Sequence, residues 1–273
     1  MDWVLQEVFA DGVTRLGKRV TRRFRGENGR IEQRLHDLIT AHRLSPGQIL
    51  SLAESQSWVW SIGLWNDFTK LREQLTTEQL SWLADTFHVE RAWLEGRESR
   101  ASMPFWGYKD LPTLTSSLDK AGWIAPDLRM TILAVDYPGN DAPLGRFHIV
   151  FSSPICEDDE SISKHALFEA SWDWSHPPCR MDAKAIARWF SMVHGHYRRV
   201  PIVSIRWKEF RSLSNGESMP ARFVPSNEVG FDCLENRVLF DHESTRAIEL
   251  YETEAVITHL NSYGLMGSIS QLT

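Results

Sequence analysis

The sequence predicts an α+β fold, with an all-α unit over residues 1–97 and an α+β unit with a mainly antiparallel sheet over residues 105–273. Three observations predict it. Apolar residues recur at three- and four-residue steps through the first unit, which is the helical period. Segments rich in β-branched and aromatic residues, separated by turn residues, mark the second unit. Between the two lies ESRASMP (98–104), a polar, small-residue segment that ends in proline and is typical of a domain boundary.

The overall composition is that of a globular protein long enough for two domains. Of its 273 residues 42% are hydrophobic and 24% are charged, which argues against wholesale disorder. No run of eighteen apolar residues predicts a membrane span, and the N-terminus lacks the basic start and long apolar run of a signal peptide. Three widely spaced cysteines fit reduced thiols better than disulfides. We therefore expect a cytoplasmic protein that does not enter a membrane.

Charge is distributed unevenly along the chain. The formal net charge is −6, and residues 101–273 carry the whole deficit, with 16 Lys/Arg against 22 Asp/Glu. Residues 15–34 show the opposite balance, with eight basic residues against two acidic ones. A local excess of this size attracts phosphate groups even in an acidic protein.

The helical unit divides into five short helices after a longer first one. Residues 2–24 form an amphipathic helix with a basic C-terminal half, and the glycines at 26 and 29 end it. A second helix spans Ile31 to His42, and Ser45 caps a third that begins with proline. The remaining helices are an aromatic segment at 58–65, a helix capped by Thr76-Thr77, and a helical turn that ends at Gly96.

The second unit alternates strands and helices. Residues 130–137 and 146–155 form a hairpin around the turn residues PGNDAPLG, and residues 165–174 form a third strand. A helix follows at 182–197. Further strands are predicted in VPIVSIRWKEF (200–210), VGFDCL and NRVLF, and the last helix lies near 252–262.

One run of the helical unit carries a family pattern. Within TTEQLSWLADTFHVERAWLEGRE (76–98), a capped helix leads to Leu83-Ala84 and Phe87, then to Val89, Trp93-Leu94 and Gly96. This resembles the fourth and fifth helices of the Cro/XRE (lambda-repressor-like) helix-turn-helix family. Residues 34–55 are similar to the family's first two helices, including the Leu44-Ser45 entry. The resemblance covers residues 31–96, about a quarter of the chain, and implies a helix-turn-helix domain there.

The resemblance also implies a function, that of a DNA-binding transcriptional regulator. The reading helix would lie in SQSWVWSIGLWND (55–67), and a homodimer would present one such helix to each half-site of duplex DNA. The α+β unit would serve dimerisation or effector sensing. The residues implied for DNA binding are Gln56, Ser57, Ser61 and Asn66 toward base edges, and Arg19, Arg22, Arg23 and Arg25 toward phosphates.

The reading segment departs from the family, and a second interpretation follows from that. The glycine usual before the reading helix is missing between Gly47 and Gly63, and no Lys or Arg occurs between Arg43 and Lys70. The tryptophan-rich segment would then pack under another element or against a protein partner. In that case the chain is an interaction adaptor that keeps the helix-turn-helix fold without sequence-specific DNA binding.

Signals for catalysis or metal binding are weak. His194 and His196 with His176, Cys179 or Cys156 lack zinc-finger spacing, and surface or core histidines explain them better. A self-cleaving Ser/Lys peptidase would need a lysine on a strand, where Lys208 is predicted, but no serine motif matches it. We expect no enzyme activity, no metal and no cofactor.

Overall fold

The computed structural model combines short helices with one mixed sheet, so the fold is α+β. It describes residues 27–65, 67–105, 110–123, 128–135, 145–156, 162–193 and 200–225, together with 258 and 260–262. The predicted helix at 2–24 and the predicted strands VGFDCL and NRVLF lie outside these residues.

The first described helix, α1, spans Glu27–His42. The sequence predicts a break in the chain at residues 26–29. The structure corrects this prediction, because Asn28 and Gly29 are part of α1. One glycine costs a helix only about 1 kcal/mol, and the apolar face that α1 buries through Leu35 and Leu38 outweighs that cost. The helix ends where Arg43 takes a positive φ of 54° and the Leu44 amide donates to the carbonyl of Ile39.

Capping residues fix the starts of two further helices, as predicted. Ser45 forms a capping box with Gln48 at the start of α2 (Pro46–Glu54), where proline occupies the first turn. Thr76 forms the same box with Gln79 at the start of α5 (Thr77–Phe87). Each cap satisfies amides that have no partner within the helix.

Three shorter helices complete the helical unit. Between α2 and α5 lie α3 (Ile62–Trp65) and α4 (Phe68–Gln74), and α6 (Arg91–Leu94) follows α5. The predicted aromatic helix over 58–65 is therefore helical only in its second half, and α4 was not predicted. Leu71 of α4 is fully buried and supplies the apolar contact that holds this short helix in place.

The α+β unit opens with α7 (Leu111–Lys120) and contains a four-stranded sheet in the order β3-β2-β1-β4. The predicted hairpin and third strand are confirmed, because β1–β2 and β2–β3 pair in antiparallel register. The last strand, β4, pairs parallel with β1, so the sheet is mixed. The strands are β1 (Arg129–Val135), β2 (Arg146–Pro154), β3 (Ser163–Asp173) and β4 (Ile202–Ile205).

The crossover to β4 is α8 (Pro177–Val193), which buries Ile186, Trp189 and Phe190 as its period predicts. The strand expected over 200–210 is shorter. After Arg206 the chain forms α9 (Trp207–Ser214), in which Phe210 and Leu213 are buried at helical spacing. Lys208 is consequently on a helix, not on a strand.

The helical unit and the sheet are packed together. Ile162, Met219 and Ala221 belong to the same hydrophobic cluster as the apolar residues of α1–α6. The segment 98–104, predicted as a domain boundary, is packed into the same structure, since Ala101 is fully buried and its amide donates to the Gly216 carbonyl at 2.6 Å. Within the part of the chain that the structure describes, no helix is both long and apolar enough to cross a membrane.

Candidate functional site

Three of the four residues predicted to read bases lie in the segment 55–61 between α2 and α3, here called the exposed loop. Gln56, Ser57 and Ser61 are all exposed there. Asn66 falls outside the described residues, and so does the whole set of predicted phosphate-binding residues (Arg19, Arg22, Arg23 and Arg25). The structure therefore brings together three of the predicted residues and places them on the surface.

The exposed loop begins where the chain turns sharply out of α2. The Ser57 amide donates to the Glu54 carbonyl at 2.8 Å, and the Trp58 amide donates to the Ala53 carbonyl at 3.1 Å. Ser57 has a φ of +62°. This pair of bonds around a left-handed residue is a Schellman motif, which ends a helix and reverses the chain. Gln56 and Ser57 thus belong to a helix-terminating turn rather than to a regular reading helix.

Four tryptophans, of which Trp58 and Trp60 belong to the loop itself, pack against one another and fix the shape of the loop. The ring centroids of Trp58 and Trp82 are 4.9 Å apart with an interplanar angle of 82°, those of Trp60 and Trp65 are 5.2 Å apart, and those of Trp60 and Trp82 are 6.1 Å apart. Edge-to-face contacts of this kind are favourable. Trp65 is only 5% exposed, whereas Trp58, Trp60 and Trp82 are half-buried. This group is the tryptophan cluster.

The tryptophan cluster is a support for the loop and leaves no room for a ligand between its rings. An aromatic cage for a quaternary ammonium group needs rings that stand apart around the cation. Here the rings touch one another.

At the tip of the loop stands Val59, which is 98% exposed. The loop surface thus offers one apolar side chain among the polar Gln56, Ser57 and Ser61. Sequence reasoning missed Val59 because a helix would have given it no special position. It also missed Trp82, although the sequence contains a signal for it. Trp82 lies on the side of α5 away from the predicted apolar face, and a large indole there implies that a second surface of this helix is packed.

The exposed loop carries no positive charge of its own. Residues 44–69 contain no Lys or Arg. Lys70, which follows, lies 3.6 Å from the Asp67 carboxylate, and the Arg43 guanidinium donates to the Val224 carbonyl at 2.9 Å. Any contact of this surface with phosphate groups must come from cations elsewhere in the chain.

Half-buried histidines whose rings are enclosed by the protein form a second cluster, where the helical unit meets the sheet. The rings of His42 and His165 lie 5.4 Å apart, and His42 Nδ1 donates to the Ser163 carbonyl at 3.0 Å. Burial, and then the neighbouring Arg43, lower the pKa of His42 to about 4. Burial, and then His42, hold the pKa of His165 well below its ordinary value. Both imidazoles are therefore neutral at pH 7 and act as packing groups.

A third histidine of this kind ends α5. His88 stacks on Phe105 at 5.0 Å, and burial, followed by the charge of Lys164, lowers its pKa to about 4. No sequence signal could have found this cluster, because His42 and His165 are brought together only by the tertiary fold.

The residues considered above for metal binding or catalysis are placed as follows. His176 Nδ1 lies 3.3 Å from Cys179 Sγ, and Cys156 is half-buried elsewhere. His194 and His196 are outside the described residues. In the described ranges, no three His, Cys, Asp or Glu side chains are grouped as metal ligands. Lys208 is exposed on α9.

Comparison of the chain with protein-family models, with curated proteins and with solved structures finds no match.

Proposed function

We propose that this protein is a DNA-binding transcriptional regulator of the Cro/XRE type. Its helical unit contacts duplex DNA through the exposed loop, and its α+β unit serves dimerisation or effector sensing. A cytoplasmic location belongs to the same proposal.

The order of the helices supports it. A long α1, a capped α2, a variable segment and a capped α5 follow one another, and α5 ends at a left-handed His88. Val89, Trp93 and Leu94 then return to the core at 2% exposure or less. These are the positions on which the family resemblance rests.

The observation that carries the proposal is the polar surface on the tryptophan cluster. Gln56, Ser57 and Ser61 are exposed, Trp65 is buried and Trp58, Trp60 and Trp82 are half-buried, so the three polar groups and Val59 are the ones most available for contact. Glutamine pairs with adenine in the major groove, serine bonds to several base edges, and a methyl group such as those of Val59 packs against thymine methyls. The support limits the conformational entropy lost on binding.

Phosphate binding is assigned to the basic segment before α1. Arg19, Arg22, Arg23 and Arg25 supply the charge that residues 44–69 lack. Affinity without sequence preference then comes mainly from this segment and falls steeply with salt.

The test is a selection of bound duplexes from a random pool, followed by anisotropy titrations of the enriched duplex. Replacing Gln56 and Ser61 by alanine should weaken binding to that duplex roughly tenfold or more and relax its sequence preference. Replacing Arg22 and Arg23 by alanine should weaken binding to every duplex and lower the salt slope by about 1.8. Thr69→Ala, at an exposed position on α4, is the control and should change nothing. Failure to enrich any duplex contradicts the proposal.

Dimerisation is the second part of the proposal, because one loop covers only a half-site. Sedimentation of the full chain should give a dimer, alone or on the enriched duplex. A protein that sediments as a monomer at micromolar concentration with and without DNA contradicts it.

A second candidate is the interaction adaptor, and the exposure of Val59 favours it. An apolar side chain that is 98% exposed, beside half-buried Trp58 and Trp60 and without nearby cations, suits a protein partner. Under this candidate the selection enriches no duplex, and Val59→Asp abolishes a stoichiometric complex that the wild type and Thr69→Ala retain.

A further inference from the structure

A second exposed aromatic side chain lies on the α+β unit, far in sequence from the loop. Trp207, the first residue of α9, is 43% exposed. Its ring stacks on Phe210 with a centroid distance of 5.3 Å and an interplanar angle of 12°, and Phe210 stacks on His148 of β2 at 4.3 Å. Phe210 is only 2% exposed, so the indole rests on the core and presents a fixed, accessible surface.

Three cationic residues lie near Trp207, one in contact with its ring and two on the same helix. Arg146 at the start of β2 has its guanidinium carbon 5.5 Å from the centre of the Trp207 ring. Lys208 and Arg211 are exposed on the same helix. Arg211, four residues after Trp207, lies beside it on the same helix face, and Lys208, one residue after it, lies roughly 100° further round the helix, on the side away from the buried Phe210 and Leu213.

The acidic groups nearby leave two of these cations available. Glu209 binds the Arg206 side chain, and the register of the sheet places Asp173 opposite Arg146. Within the described ranges, Lys208 and Arg211 form no ion pair. This is notable because residues 101–273 as a whole carry an excess of six acidic residues, 22 against 16.

We propose that the surface formed by Arg146, Trp207, Lys208 and Arg211, the Trp207 patch, binds single-stranded nucleic acid. One base stacks on Trp207 in place of the Arg146 guanidinium, and Arg146, Lys208 and Arg211 contact the phosphates on either side. A flat aromatic side chain among flexible cations is the arrangement that binds single strands, since every base has a face to stack and the backbone is anionic. The bases of a duplex are already stacked on each other, so a duplex offers the indole no such face.

The proposal goes beyond duplex reading by the exposed loop and does not depend on it. A Gln56→Ala/Ser61→Ala chain should keep its affinity for single strands. A Trp207 variant should keep its affinity for any duplex that the loop selects. Failure of one proposal therefore leaves the other standing.

The experiment is an anisotropy titration of the full chain with fluorescein-labelled (dT)20 and with a 20-bp duplex, over a series of salt concentrations. Trp207→Ala should weaken (dT)20 binding about tenfold, and Trp207→Phe, which keeps a stacking face, should retain most of it. Lys208→Glu with Arg211→Glu should weaken it at least tenfold and lower the salt slope by about 1.4. Lys120→Glu, an exposed lysine at the end of α7, is the charge control and should have little effect.

Three results would overturn the proposal. The first is (dT)20 affinity that Trp207→Ala leaves unchanged in a chain that unfolds like the wild type. The second is a loss with Lys120→Glu equal to that with Lys208→Glu/Arg211→Glu, which would mean attraction by overall charge alone. The third is displacement of (dT)20 by polyglutamate or a phosphopeptide as readily as by unlabelled (dT)20, which would mean a general polyanion surface.

Discussion

At the scale of single residues, three residues other than glycine have a left-handed backbone conformation within the described part of the chain. Arg43, Ser57 and His88 have φ values between 54° and 62°, and each follows the end of a helix. Glycine would adopt this conformation without a steric penalty of about 1–2 kcal/mol. The side chains offset that penalty at two of the positions, because Arg43 donates to the Val224 carbonyl and His88 stacks on Phe105.

The backbone conformation of Gly216 and a close neighbour both favour glycine at this position. Its φ is +72°, and a Cβ atom there would lie 2.5 Å from Cγ of Arg100. We expect Gly216→Ala to lower the free energy of unfolding by about 3 kcal/mol, from backbone strain and the clash together. The control is Gly122→Ala, at a φ of +67° with no atom within 4 Å, which should cost only about 1 kcal/mol. Urea denaturation measures both, and equal losses would contradict the role of Arg100.

The buried histidines predict a loss of stability in mild acid. His42 and His88 have folded-state pKa values of about 4, below the roughly 6.5 of an unfolded chain. The unfolded state therefore takes up protons first as the pH falls. Their contribution is fully present above about pH 6.5 and is lost between there and pH 4, by up to roughly 1.4 kcal/mol per pH unit for each histidine.

Denaturation at pH 7.5, 6 and 5 measures this dependence. His42→Gln should reduce the slope of stability against pH by about one proton, and the same replacement at His88 should act in the same direction. A free energy of unfolding that stays constant from pH 7.5 to pH 5 would contradict the neutral, buried state of these imidazoles.

At the scale of elements, the features that depend on neighbouring residues in the sequence were predictable, and those that depend on tertiary packing were not. The starts of α2 and α5 follow from Ser45 and Thr76, because a cap is chosen by side chains within three residues. The β1–β2 hairpin follows from its alternating apolar run and turn residues. α9 was mistaken for strand because VSIRWKEF carries both patterns, and only the burial of Phe210 and Leu213 against the sheet selects the helix.

The candidate site divides in the same way. Exposure of Gln56, Ser57 and Ser61 was predictable, since polar residues after a helix face solvent. Their geometry was not, because the sequence predicts a helix for the reading segment, whereas the Ser57 turn and the tryptophan cluster make it a loop. Trp82, which completes the cluster, comes from a helix that begins twelve residues after α3 ends.

The two capping boxes give a prediction at this scale. Ser45→Ala and Thr76→Ala should each lower the free energy of unfolding by about 1 kcal/mol, because each leaves an amide of the first turn without its acceptor. Ser51→Ala, an exposed position within α2, should be neutral or slightly stabilising. Urea denaturation checks all three, and a loss at Ser51 equal to that at Ser45 would contradict the assignment to capping.

At the scale of the whole molecule, the helical unit and the sheet are held together by the segment that composition marks as a boundary. Ala101 is fully buried and Ser102 is 3% exposed. The Glu90 amide donates to the Ala101 carbonyl, and the Ala101 amide donates to the Gly216 carbonyl. The position of the exposed loop relative to the sheet is therefore fixed by hydrogen bonds as well as by packing.

Limited trypsin digestion tests this arrangement. Although the Arg97 and Arg100 side chains are exposed, cleavage after Arg100 should be slow in the native protein, because a protease needs the following residues in an extended, accessible form. Gly216→Ala should accelerate the same cut, since it disturbs the partner of Ala101. Rapid cleavage of the wild type at this point into two stable fragments would contradict the fixed arrangement.

The bond from Arg43 to Val224 spans 181 positions, and the bond from His42 to Ser163 spans 121. A ribosome adding about 5–20 residues per second needs roughly 10–40 s to travel the longer distance. During that interval the end of α1 has been synthesised but the Val224 carbonyl that Arg43 binds has not. The end of α1 therefore acquires these two contacts only after the rest of the helical unit has been synthesised.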